Sequence, residues 1–211
     1  MVITDLKKET LPVMNISKLR INTDGFGIRT VVFSAECPLN CKYCINNECH
    51  GFPKEKITYL TTDDIYNELQ AHRIYFWASG GGVTFGGGGP LLYEDFLLEF
   101  CKKFHQEIKI AIETSLNVSL KHLDTLQSFV SQFIVDIKDM NPDIYKKYTG
   151  KTNIRMLKNL QVLSGCAKKV TLRIPYIPNY NEKSDIEKSV VQLKNMGFTS
   201  FDIFEYTIRG Y

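Results

Sequence analysis

"IRTVVFSAECPLNCKYC" (28–44) decides how this chain is read. The segment "IRTVVF" (28–33) is β-branched and apolar, which predicts a buried strand. Cys37, Cys41 and Cys44 follow it directly, spaced four and then three apart. Thiolates at that density suit soft metals, chiefly zinc and iron–sulfur clusters. A structural zinc site wants a fourth ligand, which Cys49 or His50 could supply. A four-iron cluster on three cysteines instead leaves one iron open to a non-protein ligand. Three unligated core cysteines are the plainer alternative, but burial alone does not call for clustering.

Outward from this stretch the chain alternates. Strands are predicted at 28–33, 82–85, 108–114, 133–139, 170–177 and 201–206. Helices are predicted at 61–70, 93–104, 120–129, 154–164 and 184–196, the last opened by Ser184 with Glu187 three residues on. Strict alternation implies a parallel α/β sheet of right-handed units. Six strands fall short of the eight of a closed barrel, leaving a partial barrel or a doubly wound sheet. Either way ligands bind at the carboxyl ends of the strands, where the cysteines stand.

At 211 residues the chain can bury a proper core. A net charge of +3 gives no argument for nucleic acid or a membrane surface as partner. No apolar run is long enough to span a bilayer, and "MVITDLKKET" (1–10) lacks the hydrophobic stretch of a secretory signal. These features favour the cytoplasm, where thiols stay reduced. Residues 1–20 read as a loose or edge-strand leader and 21–211 as a single core domain. Cys101, Cys166 and Trp77 read as packing, and Cys49 as standing apart with no second cluster. His50, His72, His105 and His122 are scattered and receive no role.

Further features point to a site. Residues 80–89 hold seven of the 14 glycines, and Gly86–Gly89 follow a short strand, so their backbone can approach a ligand closely. Asp136 and Lys138 straddle Ile137 at a strand end, so alternation puts both on one face; a salt bridge is the plainer reading. Arg173 sits in an otherwise apolar strand and needs an anionic partner.

With Tyr43 before the third cysteine, the loop resembles the CxxxCxΦC motif of radical S-adenosylmethionine (radical SAM) enzymes. "DGFGIRTVVF" (24–33) resembles the opening of the glycyl-radical-enzyme activases, whose type member is pyruvate formate-lyase activating enzyme. The resemblance recurs in order at 79–92, "ETS" (113–115), "DIKDMNPDIYKKYTG" (136–150), 153–163 and 172–181. It implies a partial (β/α)6 TIM-like barrel and an oxidoreductase with a [4Fe-4S] cluster on Cys37, Cys41 and Cys44. In enzymes of that family SAM chelates the open iron, and one electron from flavodoxin or ferredoxin cleaves it. The resulting 5′-deoxyadenosyl radical takes a glycine α-hydrogen from a partner glycyl radical enzyme. An exposed iron of this kind implies an anaerobic setting.

The resemblance also implies that Tyr43, Asn46, Gly87, Gly88, Gly89, Thr114, Asp136, Lys138 and Arg173 surround SAM. Glu113, Thr114, Ile134 and Asp136 would hold a monovalent cation. No ferredoxin-like insertion fits between Cys49 and the helix near residue 62. Several positions depart from the family: Phe26 replaces Pro, Gly86 replaces Ser, Gly89 replaces Glu and Thr207 replaces His, and the chain ends at Tyr211, short of the family's usual end. Losing the carboxylate at Gly89 is expected to weaken SAM binding. Two alternatives remain: a radical SAM enzyme acting on a small molecule, such as a 7-deazaguanine synthase, or a degenerate, non-catalytic Fe–S or zinc-binding protein.

Overall fold

The computed structural model describes residues 9–21 and 23–206. One eight-stranded sheet runs through them. Its strands are β1 (Leu11–Ile21), β2 (Ile28–Ser34), β3 (Thr58–Leu60), β4 (Gly82–Gly87), β5 (Lys109–Thr114), β6 (Gln132–Asp136), β7 (Val170–Tyr176) and β8 (Ser200–Glu205). The spatial order is β3-β1-β2-β4-β5-β6-β7-β8. From β2 to β8 every pairing is parallel, whereas β1 pairs antiparallel with β2 and β3.

The order from β2 onward never reverses, so there is no switch point of the kind a doubly wound sheet requires. Right-handed crossovers in one direction put successive helices on the same face, and the sheet curls as an open partial barrel. β3 and β8 end the sheet without pairing to each other. Of the expected leader, residues 11–20 form most of β1, and the three-residue β3 covers only Leu11–Val13 on its outer side. Among the described residues no helix is long and apolar enough to cross a membrane.

The helices are α1 (Thr62–Gln70), α2 (Arg73–Ser79), α3 (Glu94–Phe104), α4 (Leu123–Phe129), α5 (Pro142–Thr149), α6 (Ile154–Leu163) and α7 (Lys183–Asn195). α2 and α5 lie outside the predicted helices. α4 starts three residues late because the Lys121 and His122 amides turn aside to the Glu94 carboxylate, at 2.9 and 2.7 Å. α7 starts before Ser184: its cap is Glu182, whose amide donates to Asp185 at 3.0 Å.

One apolar core joins the sheet to its helices, with Phe85, Phe96, Phe100 and Phe133 fully buried. Cys101 lies in this core and Cys166 packs against its margin. Trp77 does not pack. It is 86% exposed, because α2 is a short helix whose inward residue is Phe76. Phe100→Ala is therefore expected to cost about 3–5 kcal/mol in a urea titration. Trp77→Ala should stay within about 0.5 kcal/mol of the parent.

Candidate functional site

The carboxyl ends of β2, β4, β5, β6 and β7 converge on the cysteine loop. At its entry Glu36 takes a left-handed conformation, φ 62°, which turns the chain out of β2. Three sets of backbone hydrogen bonds then hold the loop. The Glu36 amide donates to Cys49 O at 3.1 Å. Gly88 and Gly89 amides donate to Ser34 O and Glu36 O at 3.0 and 2.7 Å. Asn40 and Lys42 amides donate to Thr149 O and Tyr148 O, the last carbonyls of α5, at 3.0 and 3.2 Å.

These contacts account for the glycines. A Cβ on Gly88 would stand 2.1 Å from Glu36 O, and one on Gly89 would stand 2.6 Å from Pro38 Cδ. The close approach is thus to the cysteine loop itself. Gly89, where the family resemblance expects Glu, is paired in space with Pro38.

Cys37, Cys41 and Cys44 are half-buried free thiols. Cys49 is not apart from them: its Sγ lies within 4.8 Å of Cys37 Sγ, and its thiol interacts with those of Cys37 and Cys44. That interaction lowers the Cys37 pKa and holds Cys44 down to about 6, while Cys49 itself is pushed up. Cys41 does not share it, and burial pushes its thiol up to about 12.

The charged residues lie across the same mouth. Lys138 Nζ meets Asp136 Oδ2 at 3.1 Å, so the strand-end salt bridge forms, and it also faces the cysteines. Burial works against the Lys138 charge, but Asp136, Cys41, Tyr148 and Tyr206 outweigh it and hold its pKa well above the usual lysine value. Arg173 Nη1 meets Glu113 Oε1 at 2.8 Å. Burial and the neighbouring Asp136 raise the Glu113 pKa to about 7 against the pull of Arg173. Arg173 Nε lies 3.9 Å from Asp136 and 3.5 Å from Asp202, yet it is buried without a hydrogen-bond partner.

Asn46 Nδ2 donates to Gly87 O at 3.2 Å, bridging loop and glycines. Thr114 Oγ accepts the Leu116 amide at 3.0 Å, and Ile134 stands beside Glu113 in the β5–β6 register. Tyr43 joins an aromatic group the sequence reading did not assemble, with ring centroids 6.2, 5.7 and 6.5 Å from Tyr148, Tyr180 and Tyr206. Only the "YTG" at 148–150 pointed toward it. Phe26 sits at the opposite end of β2, exposed, its amide on Gln132 Oε1 at 3.1 Å, so that departure is remote from the cysteines. Thr207 lies outside the described residues.

The donor set fits an iron–sulfur cluster with SAM beside it: clustered thiols, a buried guanidinium nitrogen short of an acceptor, and a lysine at the same mouth. Comparison with known proteins agrees. The model of the Radical SAM superfamily matches residues 31–190. The chain belongs to the radical SAM superfamily.

Within it, the chain is 30% identical to the (2S)-3-sulfopropanediol dehydratase activating enzyme of Klebsiella oxytoca, over 81% of this chain and 72% of that one. It is 34% identical to the pyruvate formate-lyase-activating enzyme of Staphylococcus epidermidis, over 78% of this chain and 68% of that one. The Klebsiella alignment runs over 230 positions, more than the 211 residues here, so that radical SAM relative carries residues this chain lacks. Among solved structures, Streptococcus suis SuiB bound to the precursor peptide SuiA shares the fold, with TM-score 0.63 and 17% identity, over 84% of this chain and 38% of SuiB.

The packing of Gly88 on Glu36 gives a direct test. Gly88→Ala must displace the loop, at a cost of about 1–3 kcal/mol. Thiol labelling of Cys37 and Cys41 in the metal-free protein should accelerate; unchanged labelling would mean the glycine does not set the loop.

Proposed function

We propose that this radical SAM protein is a glycyl-radical-enzyme activase. Cys37, Cys41 and Cys44 hold a [4Fe-4S] cluster, and SAM binds between it and the ends of β4 to β7. The observation that carries the reading is a pair of cations at this mouth: Lys138, which acts on all three cysteines, and Arg173, whose buried Nε has no hydrogen-bond partner although Asp136 and Asp202 stand 3.9 and 3.5 Å from it. A carboxylate beside the cluster would satisfy that nitrogen, and SAM brings one. The bound cluster and SAM supply the one-electron cleavage that gives methionine and a 5′-deoxyadenosyl radical able to take a glycine α-hydrogen.

The chain's own residues do the rest. Lys138 and Arg173 draw the SAM carboxylate, and their partners Asp136 and Glu113 keep both cations fixed in direction. Asn46 and the Gly87–Gly89 backbone line the approach of the amino group. Tyr43, braced by Tyr148 and Tyr180, offers a flat wall to adenine. A monovalent cation at Glu113, Thr114, Ile134 O and Asp136 belongs to the same reading, competing with Arg173 and Lys138 for the carboxylates. The partner is a glycyl radical enzyme, and the electron comes from flavodoxin or ferredoxin in an oxygen-poor cytoplasm. The activating-enzyme relatives favour this over a small-molecule radical SAM enzyme.

Anaerobic reconstitution tests the proposal. It predicts about four irons per chain, 5′-deoxyadenosine on reduction, and a glycine-centred radical in a co-encoded partner. A reconstituted protein that leaves SAM intact on reduction contradicts it. Restoring the missing carboxylate gives a second test. Pro38→Ala with Gly89→Glu should gain about 1.5–3 kcal/mol toward SAM, lowering Kd roughly ten-fold to a hundred-fold. Gly89→Glu alone should gain less, because Pro38 blocks its Cβ.

A further inference from the structure

Beyond the three expected ligands, the loop carries a second set of metal donors. The Sγ atoms of Cys37 and Cys49 and a ring nitrogen of His50 all lie within 4.8 Å of one another. Cys49 is buried and His50 exposed, both on the single helical turn Asn47–His50. That turn is braced on both sides: the Cys49 amide donates to Asn46 O at 3.0 Å, and Cys49 O accepts the Glu36 amide at 3.1 Å. Cys41 and Cys44 both lie outside that 4.8 Å group; of the two, Cys44 is the thiol that interacts with Cys49.

We propose that in the cluster-free chain Cys37, Cys44, Cys49 and His50 form a zinc site that shares two ligands with the cluster. Three sulfurs and one imidazole are a usual set for tetrahedral zinc. With Zn–S near 2.3 Å, donors around one zinc ion stand about 3.8 Å apart, so Cys37, Cys49 and His50 need to close by only about 1 Å, and Cys44 swings in from outside their 4.8 Å group as the fourth ligand. Each thiol releases its proton to water as it binds, and His50 binds neutral. Zinc bound here takes Cys37 and Cys44 away from iron, so zinc and cluster exclude each other. The exclusion rests on the cluster reading above; the zinc site does not.

The test uses the full-length, metal-free chain under anaerobic, reducing conditions, with zinc alone as the probe and chelator competition as the readout. Cobalt(II) in place of zinc reports sulfur ligation through its charge-transfer bands. The expected result is a single zinc per chain, bound at least about ten-fold more weakly by Cys49→Ala and by His50→Ala, but near wild-type strength by Cys41→Ser. Iron uptake should reverse the pattern: lost in Cys41→Ser, kept in His50→Ala, and blocked in zinc-loaded wild type. Exposed His50 can be replaced without disturbing the core, so His50→Ala decides the matter even if Cys49→Ala unfolds. Zinc affinity unchanged in His50→Ala, or weakened as much by Cys41→Ser, overturns the site. Cluster assembly at full yield on zinc-loaded protein overturns the exclusion. Iron retained by Cys41→Ser would instead refute the cluster reading, a separate failure.

Discussion

Ala35 and Leu39 anchor the cysteine loop in the core, and main-chain hydrogen bonds to its neighbours set the rest of its shape. Glu36, Asn40 and Lys42 each give an amide to another element, and Ser34 and Glu36 take amides from the glycine turn. Each such bond contributes about 0.5–1.5 kcal/mol, so together these contacts set the path of the loop rather than decorate it. Sulfur positions follow from that path. The fold therefore presents the thiols in one place before any metal arrives, reducing the ordering that metal binding would otherwise require.

The charges facing the loop obey a related constraint. Two cations and two carboxylates share one half-buried mouth, Lys138 with Asp136 and Arg173 with Glu113. Paired charges of this kind add little net stability, because desolvation offsets their attraction. What they contribute is orientation. Arg173 keeps one nitrogen short of an acceptor, and the raised Glu113 pKa records how crowded the negative charge is. A ligand bringing both a carboxylate and an ammonium matches such a mouth better than a simple ion does.

Much of this was legible in sequence. Alternation of apolar runs gave the parallel sheet, and the period of two put Asp136 and Lys138 on one face. The cysteine spacing marked the loop. The helix α5 escaped, although Asn141 accepts from the Asp143 amide at 2.9 Å, Pro142 opens the helix and Gly150 closes it at φ 72°. Eight residues give too short a periodic pattern to stand out, and its importance lies in carbonyls that no side-chain pattern reports. Cys49 escaped for a different reason. Its approach to Cys37 is made by the Glu36–Cys49 backbone bond, a tertiary contact. The tie between Gly89 and Pro38 is equally invisible along the chain, so a departure read as a lost carboxylate is also a packing choice.

Hydrogen exchange of individual amides in the metal-free protein tests the central claim most directly. If the fold builds the loop in advance, the amides of Glu36, Asn40, Lys42 and Gly89 exchange about as slowly as those of β4 and β5. Exchange of these four at unfolded-chain rates, with protection gained only after iron and sulfide are added, would mean that the metal shapes the loop and the account is wrong.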